Sequence, residues 1–236
     1  YDRNTGIAYY NDHATITNRQ NTLKSKSGKY YTHELKYEFR TQVVITNPET
    51  IIKSNHLDYY EDSGHAYLFG PSTIDNKDNH IYTENGFYDT RLDQGRMIQN
   101  SFILYDNKRI EADEMFYDER QSYAKGINNV KVTDTINNTI ATSHFAEVFR
   151  ANDSIYMTKK PLIEYYTEQD TTYFHAKNLQ IVGPDKQRII KGYPNARIYR
   201  TPEMSGKADS LHYDQKIGLL QLIRKPVLFN GESQLT

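Results

Sequence analysis

The chain repeats itself, and that limits its fold more than any other feature. Four segments, IIKSNHLDYYEDSGHAYLFGPSTI, IYTENGFYDTRLDQGRMIQNSFI, IEADEMFYDERQSYAKGINNVKV and GKADSLHYDQKIGLLQLIRKPVLF, share the order apolar-x-small-x-x-apolar-x-Tyr. The small residue recurs at Ser25, Ser54, Thr83, Ala112, Thr142, Ala176 and Ala208, at spacings of 29, 29, 29, 30, 34 and 32 residues. Five positions later stand Tyr30, Tyr59, Tyr88, Tyr117 and Tyr213, with Glu147 and Ile181 in the fifth and sixth units. Counted from the tyrosine, position +7 holds Ala8, Tyr37, Ala66, Gly95 and Ala124. Position +13 holds Ala14, Val43, Ser72, Ser101 and Val130, and position +15 holds Ile16, Ile45, Ile74, Ile103 and Val132. A unit this short cannot bury its apolar face alone, so neighbouring units must stack. Tyr1 lies 29 residues before Tyr30, so seven to eight units, cut from a longer array at both ends, are expected.

Within a unit the period is two. Ile110 and Ala112 alternate with Glu111 and Asp113, then after a one-residue slip Met115 and Tyr117 alternate with Phe116 and Asp118. Alternation gives each strand one buried and one wet face, and the slip suits a β-bulge. Turn residues such as DRNTG, EDSG and DERQS divide the unit into two strands of six to nine residues. The expected fold is a single all-β domain over residues 1–236, a long antiparallel jellyroll or solenoid of about 14 to 16 strands.

Composition explains why tyrosine is needed. Leu, Ile, Val and Phe number 51 of 236 residues, barely enough for a core, whereas tyrosine numbers 21. Its ring packs while its hydroxyl finds a polar partner. Charge is balanced, with 29 basic and 30 acidic residues, which leaves no electrostatic footprint for nucleic acid. With no cysteine, disulfides, thiolate metal sites and cysteine nucleophiles are excluded.

The pattern A-D-x-x-x-Y-D, a polar turn with glycine and then a small or apolar alternating run resembles the OstA-like family of lipopolysaccharide-transport proteins. IEADEMFYDERQSYAKGINNVKV and GKADSLHYDQKIGLLQLIRKPVLF carry the likeness best, and YDRNTGIAYYNDHATI fits the second half of a unit. The resemblance implies a β-jellyroll open along one side with an apolar interior, in the periplasm of a Gram-negative bacterium or associated with its outer membrane. It implies a carrier, not an enzyme, that needs no cofactor. The implied partners are lipopolysaccharide, through its lipid A acyl chains, and Lpt-type jellyrolls or a second copy joined by edge-strand pairing.

Read with the alternation, the candidate lining is Ile52, Leu57, Tyr59, Ile74, Ile81, Tyr88, Ile103, Ile110, Met115, Tyr117, Val130, Val132, Ile140 and Phe145. Plain core packing is the other reading of each. Ser72, Ser101 and Gln99 put polar groups among the interior columns. The eight histidines share no repeat position and form no HExxH, so a metal site is not expected; His56 and His144 read as solvated turn residues. Carboxylate rows such as Glu111 with Asp113 keep open a β-solenoid that binds or degrades surface polysaccharide. A purely structural repeat scaffold is the third alternative.

Overall fold

The structure is a computed structural model that describes residues 1–236, save the side chain of Asn18. One 3-10 turn (Arg150–Asn152) is the only helical element among the described residues; the remainder is antiparallel strand and turn. Two compact units form: Tyr1–Asp106 with Asp113–Gln121, and Asn107–Ala112 with Ser122–Thr236.

The first unit contains β1 (Ile7–Tyr10), β2 (Ala14–Asn18), β3 (Asn21–Ser25), β4 (Ser27–Tyr31) and β5 (Lys36–Thr46). It continues with β6 (Thr50–Tyr60), β7 (His65–Asn76), β8 (Asn79–Asp89), β9 (Gln94–Gln99) and β10 (Ser101–Tyr105). The second unit supplies β11 (Lys108–Ala112), and β12 (Glu114–Asp118) returns to the first. The second unit then runs through β13 (Tyr123–Asp134), β14 (Thr139–Phe149), β15 (Ser154–Thr158), β16 (Leu162–Tyr166), β17 (Thr171–His175) and β18 (Asn178–Val182). It ends with β19 (Ile189–Tyr193), β20 (Ala196–Arg200), β21 (Met204–Ala208), β22 (Ser210–Asp214), β23 (Leu219–Ile223), β24 (Val227–Asn230) and β25 (Ser233–Leu235).

Each unit has two walls. In the first, β5 to β8 are long strands that bend midway and belong to both walls. One wall runs β1–β4–β5–β6–β7–β8–β9–β12. The other runs β2–β3–β5–β6–β7–β8–β10. The register slips at the bends, between Arg40 and Val43, Lys53 and Leu57, Phe69 and Ser72, and Asn85 and Gly86. Two of them, at Lys53/Leu57 and Asn85/Gly86, fall between marker and tyrosine, the stretch in which the sequence shows its one-residue slip after Ala112; there the strand itself is interrupted between β11 and β12. In the second unit one wall runs β13–β14–β15–β18–β19–β22–β23. Its other wall runs β11–β13–β14–β16–β17–β20–β21–β24–β25. The 25 strands exceed the expected 14 to 16 because most passages from wall to wall break the strand at the bend.

The bend is built the same way repeatedly. Two consecutive residues turn left-handed at Thr41 and Gln42, at Asn128 and Asn129, at Lys159 and Lys160, and at Arg224 and Lys225. The residue after the small marker then donates its N–H across the corner: Lys26 to the Thr41 carbonyl, His144 to Lys159, and Asp209 to Arg224, at 3.0, 3.0 and 2.9 Å. A second left-handed position lies five residues after the tyrosine column, at Gly6, Leu35, Gly64, Asp93, Ser122, Asp153, Lys186 and Gly218. This recurrence fixes the column itself, which in the fifth and sixth units is Val148 and Ile181.

The register of the fifth unit is corrected by it. Its marker is the buried Ser143, not Thr142, and its tyrosine position is Val148, not Glu147. Ile140 and Phe145, expected inside, are half-buried on the outer face, while Ala141, Ser143, Ala146 and Val148 point inward. A slip of one residue in a strand of period two exchanges its faces.

The +13 and +15 columns hold from their second members on, while Ala14 and Ile16 are half-buried. Val43, Ser72, Ser101 and Val130 are buried, as are Ile45, Ile74, Ile103 and Val132. The small +7 column makes room for the rings. Tyr59 pairs with Tyr37 and Ala66 on its two neighbours, Tyr88 with Ala66 and Gly95, and Tyr117 with Gly95. A Cβ on Gly95 would come within 3.1 Å of the Tyr88 ring.

Candidate functional site: the interior between the walls

The interior of each unit is a packed apolar layer between the two walls, with two unlike polar margins. At the bends, small hydroxyls pair: Ser72 donates to Ser54 at 2.9 Å, and Thr83 bonds Ser101 at 2.8 Å. This satisfies the polar residues that the interior columns contain. Gln99, expected among them, is exposed at the bend.

Between the margins lie the expected lining residues. In the first unit Ile52, Leu57, Tyr59, Ile74, Ile81, Tyr88, Ile103, Met115 and Tyr117 are each at most 1% exposed. In the second unit Ile110, Val130 and Val132 are buried as well. Each such large side chain contributes about 1.5–3 kcal/mol by leaving water.

The opposite margin, the mouth, joins wall to wall by side chains. Backbone ladders run along each wall, and none bridges the mouth among the described residues. In the first unit Asn21 Nδ2 donates to the Tyr59 hydroxyl at 2.9 Å and to Thr90 Oγ1 at 3.2 Å. Asn79 and Asn76 donate to the Tyr117 hydroxyl at 2.8 and 2.9 Å, and both also reach Glu119 at 3.1 Å. Tyr88 stands opposite Thr50, close enough for the Thr50 hydroxyl to bear on it, but the pair does not meet hydrogen-bond geometry and the buried Tyr88 hydroxyl is left without a full partner. Burial pushes its pKa well above the usual tyrosine range. An open recess of about 590 Å³ lies over the Asn21–Tyr59 contact, with Arg19, Arg91 and Arg120 on its rim.

The mouth of the second unit is charged. Arg188, 5% exposed, donates to Asp185 Oδ1 at 2.8 Å and to the Asp153 carbonyl at 3.2 Å. It also donates to the Gly183 carbonyl and lies 3.8 Å from Asp134. Lys108 stands 3.9 Å from both Asp134 and Asp185. Asn137 bonds Asp134 at 2.8 Å and Asp185 at 2.9 Å, and accepts from the Lys186 N–H at 2.8 Å. Asp185 is held below the usual carboxylate range: its burial works against this, but Asn137, Lys108 and Arg188 outweigh it. Beneath the cluster is a cavity of about 20 Å³, lined from both walls by Val132, Ala141, Ile155, Ile181 and Ile190, with Tyr213 beside them.

The sequence contains a signal for the mouths that the alternation alone passes over. Asn21, Thr50, Asn79 and Lys108 stand four residues before the marker at intervals of 29, and all four are buried. Polar residues kept at an inward position at the repeat period mark a built contact. Arg188 has no counterpart in other units, so no periodic signal points to it. His56 lies within β6 and not in a turn, 3.6 Å from Asp58, while His144 is exposed at a bend. Among the described residues, no three His, Cys, Asp or Glu side chains gather as a metal site.

Fold and site together define a two-walled antiparallel β-jellyroll with an apolar interior. Residues 1–55 match the family model described as OstA-like protein, so the resemblance read from the repeats is found independently over that segment. No curated protein matches the chain. Among solved structures the chain is similar to LptH of Pseudomonas aeruginosa, described as the LptA-homologous periplasmic component of the conserved lipopolysaccharide transport device. The two are 17% identical over 50% of this chain and 82% of LptH, with a TM-score of 0.44.

Proposed function

We propose that the chain is a non-enzymatic carrier that holds the acyl chains of lipopolysaccharide between its walls and passes them along the repeat, across the periplasm toward the outer membrane. The observation that carries this reading is the asymmetry of the two margins. At the bends the walls are continuous backbone; at the mouth only side chains join them. A slot of this kind opens along one side without breaking a strand ladder. Acyl chains entering it escape a cost of about 0.8 kcal/mol per CH₂ in water. In the first unit the inward columns repeat every 29 residues, so a chain shifting by one repeat there meets a similar apolar surface. The side-chain chemistry asks for no catalytic group or cofactor. β2 pairs only with β3 among the described residues, and such an edge suits strand addition by another Lpt-type jellyroll or a second copy.

A photo-crosslinking amino acid tests the reading. Placed at Met115 or Leu68, inside the slot, it is expected to capture lipopolysaccharide in cells that export it. At Arg96 or Tyr67, on the outer face, it is expected to capture far less. Equal yields on the two faces would refute the slot as the lipid path.

A further inference from the structure

Three tyrosines of the first unit, Tyr59, Tyr88 and Tyr117, occupy one column and face partners 38 residues earlier: Asn21, Thr50 and Asn79. Two of the three contacts are complete. The middle one is not. Thr50, whose side chain is one bond shorter than asparagine's, stands close enough to bear on the Tyr88 hydroxyl, but the pair does not meet hydrogen-bond geometry, whereas the asparagine Nδ2 atoms arrive at 2.8–2.9 Å. Tyr88 is wholly buried, and its hydroxyl has no hydrogen-bond partner. An unmade hydrogen bond in an apolar interior is costly, and it is relieved by whatever brings an oxygen to the spot.

We propose that Tyr88 is a ligand-binding residue whose hydroxyl donates to an acceptor oxygen near the polar end of an acyl chain: an ester or amide carbonyl, or a chain hydroxyl. The neighbours Asn21–Tyr59 and Asn79–Tyr117 hold the walls together on either side, which makes the Thr50–Tyr88 gap the place where an incoming polar atom gains most. The inference rests on the carrier reading and deepens it by assigning one specificity contact within the slot. Pure hydrocarbon gains nothing from Tyr88, whereas an oxygen-bearing acyl chain does.

The test compares Tyr88→Phe with Tyr59→Phe and Tyr117→Phe in the full chain, using lipid A and hexadecyltrimethylammonium, below its micellar concentration, as probes. The second probe contains no oxygen and so offers Tyr88 no acceptor. Tyr88→Phe is expected to weaken lipid A binding by about 5- to 10-fold, the value of one hydrogen bond, and to leave hexadecyltrimethylammonium binding unchanged. Without lipid, Tyr88→Phe is expected to melt at or above the wild-type temperature, because it removes an unpaired hydroxyl. Tyr59→Phe and Tyr117→Phe are expected to melt lower, because each removes a made bond. Wild-type affinity for lipid A in Tyr88→Phe would overturn the proposal, as would equal weakening toward both probes. Failure of the wild-type protein itself to bind lipid A would instead overturn the carrier reading, and this inference with it.

Discussion

Two arginines make ion pairs of similar geometry in very different surroundings, and they are expected to differ sharply in worth. Arg120, with its side chain 59% exposed, holds Asp93 at 3.0 Å and reaches the Arg91 carbonyl. Arg188, with its side chain 6% exposed, serves two carboxylates and two backbone carbonyls. Replacing Arg188 by methionine keeps much of the volume and removes every donor. The Asp153 and Gly183 carbonyls lose a partner, and the buried Asp134 keeps only Asn137 at 2.8 Å and Lys108 at 3.9 Å. Breaking a buried pair costs about 3–5 kcal/mol. Asp185 is 38% exposed, so solvent screens that pair and the lower end, about 3 kcal/mol, is expected. At about 2–4 °C per kcal/mol for a chain of this size, the melting temperature falls by about 6–12 °C. Arg120→Met is expected to cost at most about 1 kcal/mol, or a few degrees. Thermal melts followed by far-ultraviolet circular dichroism measure both. If the two variants melt together, the charged mouth of the second unit is not a structural contact and the reasoning fails.

Two further outcomes concern the tyrosines. Ala66→Leu is expected to destabilise the first unit by about 1–3 kcal/mol in chemical denaturation, because the rings of Tyr59 and Tyr88 pair against Ala66 on both sides; a neutral result would mean the rings do not rest on the small column. Burial, then Glu61 and the neighbouring tyrosines, pushes Tyr37 up to about 12, and the hydrogen bond to Glu164, then burial, pushes Tyr166 up to about 12. Because the folded state favours the protonated form, this stabilisation is complete below pH 10 and is lost as pH rises toward about 12. Absorbance near 295 nm is expected to show late-titrating tyrosines while the far-ultraviolet signal persists. A single step near pH 10 for all 21 tyrosines in the folded protein would refute it.

Most of the architecture is readable because two periods reinforce one another. A period of two fixes the face of each strand, and a period of 29 repeats that decision, so an error in one unit is corrected by its neighbours. Both protections weaken together in the fifth unit, where the marker spacing stretches to 31 between Ala112 and Ser143. There Thr142 and Ser143 are both small, the tyrosine is replaced by Val148, and the choice between them exchanges faces. Ile140 and Phe145 take the wrong face in the sequence reading for that reason. Strand number is also underestimated, because whether a bend interrupts a ladder depends on local backbone geometry that side-chain pattern does not encode. The mouths are less legible. Asn21, Thr50 and Asn79 repeat, yet polar residues at an inward position gain meaning only when the facing wall is known. Arg188 and Asp185 come from a turn that recurs in each unit, but their side chains have no repeated counterpart, and their meeting with Asp134 and Lys108 is a tertiary event.

The interval of 38 residues between mouth partners has a mechanical consequence. It exceeds the repeat by nine, so each contact ties one repeat to the next and not to itself. In the first unit two such ties are made, Asn21 to Tyr59 and Asn79 to Tyr117, and the position between them, Thr50 opposite Tyr88, carries none. A wedge driven between the walls at Tyr88 therefore breaks no tie at first, and widening the gap further means breaking one on either side.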